Sequence, residues 1–515
     1  MRLPYFIRQE KVSSDSELKN MQYHHEHSCP RVVIAGLKGG SGKTIISLGI
    51  IRSLRVRGLK VVPFKKGPDY IDAGWLAYAA EHPCYNLDPF LIERENILKS
   101  FIEHTFGFDG AVIEGNRGLY DGIDVDGAHS TAELSKIIKS PVVLVLDCTK
   151  TTRTLAAMVL GCKSFDTEVA IKGLILNQVA NSRHGSLIRR TLEHYSDIPV
   201  LGEVPRIREG LFQERHMGLV PYQEHSGAKD AIDTFGEMAG NYLDLDGIWK
   251  IAEEAVPLEV SSASENPPSR GKEGVGGRLQ TAHSEIRIGI IKDSAFQFYY
   301  PENFDELVRR GATLIEINAL KDREISEIDA LYIGGGFPET HALALSENNT
   351  LRTSLRNAIE NGLPVYAECG GLMYLGEALL LEGRTYPMSG VFPIIFGLEK
   401  VPQAHGYTVV EVERPNPYFP VGCTLRGHEF HYSKVVNTDM AEKLSGHDET
   451  YFAFRMKRGQ GLIDRMDAIC YKNVLATYTH LHALGAGEWT DGLIMKAISY
   501  RERRQSGIKE SCSVR

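Results

Sequence analysis

The sequence predicts a two-domain α/β protein, and three observations carry that expectation. From Arg31 onward, short β-branched runs (RVVIAG, KVVPFK, GAVIEG, PVVLVLD, GLILNQV) alternate with segments whose apolar residues recur at helical spacing. This is the pattern of a parallel sheet covered by helices. It lapses over residues 257–285, where Ser, Gly, Pro and charge replace apolar periodicity, as in a linker. It then resumes with IRIGIIKD, ATLIEI, ALYIGGG and LPVYAE. The expected layout is a disordered N-terminal extension over 1–29, a first domain over 30–250, a linker over 257–285 and a second domain over 286–505.

Length and composition agree with two soluble domains: 515 residues, 43% hydrophobic and 24% charged. A formal net charge of -8 argues against a nucleic-acid binder that relies on a basic face and favours a small-molecule partner. No long apolar run suggests a membrane span, and the N-terminus lacks the apolar centre of a signal peptide, so a cytoplasmic location is expected. The eight cysteines contain no C-x-x-C pair, which makes a disulfide framework improbable. The cluster His24, His25, Glu26 and His27 reads as part of a solvated tail rather than a metal site.

In the first domain the strand RVVIAG runs into GLKGGSGKT and then an apolar helix. A glycine-rich turn entering a helix aims backbone N–H groups and the positive helix end at one point, which suits a phosphate. The ending Gly42-Lys43-Thr44 is that of a Walker A loop, with Lys43 for the β- and γ-phosphates and Thr44 for Mg²⁺. The usual first glycine is displaced: Leu37 stands there and Gly36 lies one residue earlier. The strand GAVIEG delivers Glu114 to the sheet's carboxyl edge, where open α/β sheets place ligands. Thr44, Glu114 and either Asp69 or Asp72 of KKGPDYID would suffice for Mg²⁺. Lys65 and Lys66 precede those aspartates.

In the second domain LPVYAECGGLMYL repeats strand, sharp turn and helix, with Cys369 at the turn. A thiol there is lifted clear of the sheet and lies near a helix N-terminus, which favours thiolate and covalent catalysis. Upstream, Gly334, Gly335 and Gly336 of YIGGGFPE offer N–H groups that, with Gly370, could form an oxyanion hole. Downstream, LATYTHLHALG carries His480 and His482 at strand spacing, so both should face one way and either could activate the thiol. RGHEFHYS adds His428 and His431.

These segments, with NLDPF, STAEL, RHMGLVP and AFQFYYPEN in the same order, resemble the cobyrinate a,c-diamide synthases and their relatives acting on hydrogenobyrinate or nickel-sirohydrochlorin. The resemblance implies a P-loop NTPase sheet of the dethiobiotin-synthetase type, acting as an ATP-dependent amidoligase, followed by a flavodoxin-like class I glutamine amidotransferase domain. It implies Cys369 as nucleophile and His480 as its base, with Gly335, Gly336 and Gly370 as the oxyanion hole. Contacts to ATP would come from Lys38, Gly39, Gly40, Ser41, Gly42, Lys43, Thr44 and Asn177. Mg²⁺ would lie at Thr44, Asp69 and Glu114, and the macrocycle against Tyr70, Asp72, Arg117 and Asp121. Cobyrinate, L-glutamine and ATP are the implied substrates, amidated at the c and a acetates, with ammonia passing between domains.

Three departures matter. Other class I amidotransferases have a glutamate two positions after the histidine, whereas Leu481 and His482 follow His480, so the acid that orients His480 is open. Ala483 stands where the family often has Phe. Lys38 occupies the signature lysine position of partition and septum-site ATPases, which leaves a homodimer open and supplies the rival reading, a switch ATPase. Hydrogenobyrinate and nickel-sirohydrochlorin remain the alternative macrocycles.

Overall fold

The computed structural model describes residues 26–206, 214–215, 218–259, 286–437 and 450–507. His24 and His25 of the tail, most of the linker, and His216 of RHMGLVP lie outside the described residues. The chain divides into two compact units; residues 90–93 group with the second, although their neighbours on both sides belong to the first.

The first unit is built on seven parallel strands: β1 (Arg31–Gly36), β2 (Val61–Lys66), β3 (Tyr85–Leu87), β4 (Gly110–Glu114), β5 (Val142–Asp147), β6 (Ile171–Val179) and β7 (Val200–Pro205). Their spatial order is β3-β2-β4-β1-β5-β6-β7. The direction of winding changes at central β1, and a crevice beyond the carboxyl ends of such strands is where this architecture holds ligands. Helix α1 (Lys43–Val56) leaves β1 through the glycine loop, burying Ile46, Ile50 and Leu54 against the sheet. Gly49 permits a close crossing with the helix Ala228–Tyr242: a Cβ there would lie 2.6 Å from the Phe235 carbonyl oxygen. Helix α2 (Ile71–Ala80) follows β2.

The bounds differ slightly from the sequence expectation. Glu26–His27, grouped above with the extension, pairs antiparallel with Leu258–Glu259, grouped with the linker. His27 Nε2 meets Thr105 Oγ1 at 2.9 Å and Leu258 is buried, so a few apolar and polar contacts suffice to order segments whose composition reads as loop.

The second unit contains a ten-stranded sheet. In chain order its strands are β8 (Ile286–Ile291), β9 (Ala312–Ile317), β10 (Ala330–Ile333), β11 (Val365–Glu368), β12 (Ala404–Val412), β13 (Thr424–His431), β14 (Thr450–Arg458), β15 (Met466–Tyr471), β16 (Val474–Thr477) and β17 (His480–Leu481). The spatial order is β9-β8-β10-β11-β16-β15-β14-β12-β13-β17. The first five are parallel in the 2-1-3-4-5 order of flavodoxin-like sheets. The rest are antiparallel. Strand alternation sends Leu331, Ile333, Val365 and Ala367 to one core. Tyr332 and Tyr366 go to the other, under Trp489 of helix α4 (Gly487–Ser506); helix α3 (Gly370–Leu375) follows β11.

Between β16 and β17 the chain is fixed by Asp467, a buried carboxylate of β15. It accepts from Thr477 Oγ1 (2.7 Å), Tyr478 N (3.0 Å), Thr479 N (3.2 Å) and Thr479 Oγ1 (3.0 Å). Asp467→Ala would strand these donors. It should destabilise the unit by about 3 kcal/mol, read as a lower midpoint in urea unfolding followed by tryptophan fluorescence.

Candidate functional site

In the first unit, the glycine loop is shaped by close approaches. A Cβ at Gly36 would lie 2.1 Å from Ser41 Oγ, so the displaced glycine does the steric work that Leu37 cannot. Gly42 caps α1 at φ 89°, and a Cβ there would meet Asn177 Nδ2 at 2.1 Å. Asn177, at the end of β6, donates to the Ser41 carbonyl (2.9 Å) and so anchors the loop. Lys38, Gly39 and Gly40 form its exposed rim, where Lys38 Nζ pairs with Asp147 Oδ2 at 3.1 Å. Lys43 is buried and rests on the carbonyls of Lys38 (3.1 Å) and Arg117 (2.7 Å). Burial, followed by the neighbouring Lys65 charge, lowers its pKa.

Beside Lys43 lies a compact acidic cluster. Thr44 Oγ1 donates to Glu114 Oε1 (2.8 Å) and approaches Asp72 Oδ2 (3.5 Å). Lys65 Nζ bridges the same two carboxylates, at 2.8 Å from Asp72 and 2.7 Å from Glu114. Burial alone would strip the proton from Lys65; Asp72, Glu114 and Asp69 outweigh it and hold its pKa well above the ordinary lysine value. Burial raises the Glu114 pKa, with Lys65 opposing and Asp72 assisting.

Of the metal candidates, Thr44 and Glu114 come together, and the carboxylate beside Thr44 is that of Asp72. The Asp69 carboxylate instead accepts from Asp72 N (2.8 Å), capping α2. Burial, then the Asp72 charge, raises the Asp69 pKa to about 7. Glu114 Oε2 is buried without a hydrogen-bond partner. An uncommitted carboxylate oxygen next to a threonine hydroxyl is a donor set that fits a hard divalent cation.

The remaining candidates lie along the same edge. Tyr70 precedes α2, Asp121 accepts from Gly118 N (2.8 Å), and Arg117, at φ 50°, has an exposed side chain. Lys65 and Lys66 are buried against carboxylates, Lys66 lying 3.7 Å from Asp88. Arg117, by contrast, is exposed.

In the second unit, Cys369 joins β11 to α3 with φ 49° and ψ -101°, a positive-φ conformation rare for a residue with a Cβ. Its N–H donates to the Thr477 carbonyl (2.8 Å). The glycine loop closes over it: Gly371 N donates to Gly334 O (3.1 Å), and a Cβ on Gly370 would lie 3.0 Å from Gly336 N. Gly335 borders the histidine, since a Cβ there would be 2.5 Å from His480 Cε1.

The four histidines have separate fates. His480 hydrogen-bonds Cys369, and its Nδ1 lies 3.5 Å from Glu368 Oε2. Burial would push its proton off, but Cys369 and Glu368 more than offset this and raise its pKa to about 10. His482 does not share that site, contrary to the spacing argument. Strand β17 ends at Leu481 and the chain turns, so His482 Nε2 lies 3.6 Å from Glu302 and its ring packs on Tyr300. His428 stacks on His480 at 4.8 Å and meets the Tyr300 hydroxyl at 3.1 Å. His431 stacks on Tyr478, and its Nδ1–H donates to the Ser433 carbonyl (2.8 Å).

Sequence reasoning missed Glu368. Its Oε1 accepts from Leu481 N (3.0 Å) and the Tyr366 hydroxyl (3.2 Å), its Oε2 from the Tyr332 hydroxyl (3.0 Å). A glutamate ending an otherwise apolar buried strand was the available signal.

Two family models match the chain: a CobQ/CobB/MinD/ParA nucleotide binding domain over residues 32–216, and a CobB/CobQ-like glutamine amidotransferase domain over residues 287–487. A cobyrinate a,c-diamide synthase of Magnetococcus marinus is 40% identical over 476 residues, covering 92% of this chain and 98% of the relative. That of Archaeoglobus fulgidus is 40% identical over 470 residues, covering 91% and 98%. That of Methanothermobacter thermautotrophicus is 37% identical over 475 residues, covering 91% and 100%.

Burial, with the ring charge of His480 adding to it, lowers the His431 pKa to about 4. Between pH 4 and 6.5 the unfolded chain therefore binds a proton at His431 that the folded chain does not, and stability falls on acidification. His431→Phe should remove this slope. The stability gap between variant and wild type should shift in the variant's favour by about 2–3 kcal/mol from pH 7 to pH 4, measured by urea unfolding at both.

Proposed function

The chain belongs to the cobyrinate a,c-diamide synthase family, and from that premise we propose that it amidates the a- and c-acetate carboxylates of cobyrinate, using ATP and glutamine. The amidoligase domain is residues 30–250 and the glutamine amidotransferase domain residues 286–505. The observation that carries the reading is Cys369 on a positive-φ elbow, hydrogen-bonded to His480. A switch ATPase would have no use for it.

At the elbow, the Cys369 sulfur attacks the side-chain amide of glutamine and His480 gives its proton to the departing ammonia. Water, deprotonated by His480, then cleaves the thioester to glutamate and restores both groups. Gly335, Gly336 and Gly370 are the N–H donors for the developing oxyanion.

In the first unit a carboxylate has no leaving group until it accepts the γ-phosphoryl group of ATP; the acyl phosphate then takes ammonia and releases phosphate. Lys43 leaves its resting carbonyls for the phosphates, while the loop from Lys38 to Thr44, held by Asn177, cradles them. Thr44, Glu114 and Asp72 would hold Mg²⁺, with Asp69 setting the start of α2. The ion supplies charge neutralisation where three carboxylates would otherwise repel a polyanionic nucleotide. Arg117, Tyr70 and Asp121 border the acidic macrocycle. A cytoplasmic location agrees with the substrates, and among the described residues no helix is long and apolar enough to cross a membrane.

Cys369→Ala should reduce glutamine-dependent amidation by about 10³-fold or more, yet leave amidation driven by ammonium chloride within about twofold of wild type. Lys43→Ala should abolish both. Product mass spectra with cobyrinate, hydrogenobyrinate and nickel-sirohydrochlorin decide the macrocycle. Equal loss of both activities in Cys369→Ala would sink the assignment.

A further inference from the structure

The second unit holds an acid that neither spacing nor family pattern assigns. Resting on the glutaminase reading above, we propose that Glu368, the residue immediately before the nucleophile, is the positioning residue that orients His480 and steadies its positive charge. It takes the role for which the chain has no glutamate after the histidine.

Geometry carries the inference. Two neighbours of the His480 ring are consecutive in sequence: Cys369, and Glu368, whose Oε2 lies 3.5 Å from Nδ1. Glu368 is buried, and three donors fix it, the hydroxyls of Tyr332 and Tyr366 and the backbone N–H of Leu481. The last of these is the residue after His480, so the carboxylate grips the histidine's own strand as well as facing its ring. At 3.5 Å from Nδ1 the carboxylate is in ion-pair range rather than hydrogen-bonded, and its charge stabilises the imidazolium that forms.

The other groups against His480 cannot do this. His428, stacked on it, is held neutral by burial and has its Nδ1 on Tyr300. His431, a further ring in the same region, is also held neutral by burial and bonds the Ser433 carbonyl. His482 faces Glu302. Glu368 is the carboxylate that, among the described residues, ion-pairs with His480.

A structural role for Glu368 predicts lost stability; a positioning role predicts a change in how the thiol ionises. Two readouts separate them: kcat and KM for glutamine hydrolysis, and the pH dependence of Cys369 alkylation by iodoacetamide. In Glu368→Gln, kcat should fall by about 10²-fold with KM within about threefold. Removing the anion makes the imidazolium easier to deprotonate, so the step in the alkylation profile that reports loss of the His480 proton should move to lower pH by about one unit or more. Glu368→Asp keeps the charge but withdraws it from the ring, so its kcat should still fall and its profile should lie between those of Glu368→Gln and wild type. Amidation driven by ammonium chloride and the thermal midpoint report folding. If Glu368→Gln does not fold, Glu368→Asp carries the test through its drop in kcat at unchanged KM. An unshifted profile with wild-type kcat in Glu368→Gln, or wild-type kinetics in Glu368→Asp, overturns the inference. Wild-type protein without glutaminase activity, or activity surviving Cys369→Ala, instead overturns the reading on which it rests.

Discussion

Each unit places a glutamate at the last residue of a buried parallel strand, Glu114 on β4 and Glu368 on β11, and each side chain is 1% exposed. A buried carboxylate is costly unless charge or donors surround it, so both positions dictate what lies around them. Around Glu114 the compensation is ionic: Lys65 bridges it to Asp72, and Thr44 donates a hydrogen bond. Around Glu368 it comes chiefly from neutral donors, two tyrosine hydroxyls and a backbone N–H, with the imidazole of His480 as the charged neighbour. The first arrangement is held by charge. The second is fixed by covalently anchored dipoles and is suited to holding one geometry.

That contrast follows from the elements. The Walker-type loop is exposed along its rim from Lys38 to Gly40, and Lys43 rests on carbonyls that a stronger anion can replace. The elbow at Cys369 is bordered by Gly334 to Gly336, by Thr477 of β16 and by His480 of β17, and glycine is required where the approaches are closest. At Gly335 a single methyl group would strike the imidazole. Binding a nucleotide needs a loop that yields, whereas aligning a sulfur with a histidine needs one that does not.

Much of this was legible from residue order. The strand runs, the GKT loop and the strand-turn-helix at Cys369 are local signals, and local chemistry fixes them. Three things were not. The exchange of Asp72 for Asp69 beside Thr44 depends on which side chain caps α2, a choice of one helical turn that spacing cannot make. The divergence of His480 from His482 depends on β17 ending after two residues. Glu368 escaped notice because period-two reading assigns it to the face opposite Cys369 and hence away from the site.

That last point explains why the elbow must be strained. In a regular strand, consecutive side chains point to opposite faces, and Glu368 does continue the face of Tyr366, toward the core beneath Trp489. Cys369 packs with the opposite core, that of Val365 and Ala367. The positive φ at Cys369 turns the chain out of the strand at the carboxyl edge, where His480 lies. Such a conformation costs on the order of 1–3 kcal/mol for a residue with a Cβ. It is held by the Cys369 N–H on Thr477 and by the Gly371 N–H on Gly334, one bond on each side of the turn. The strained turn thus lies between two adjacent residues, Glu368 and Cys369, that both bear on one histidine of a facing strand.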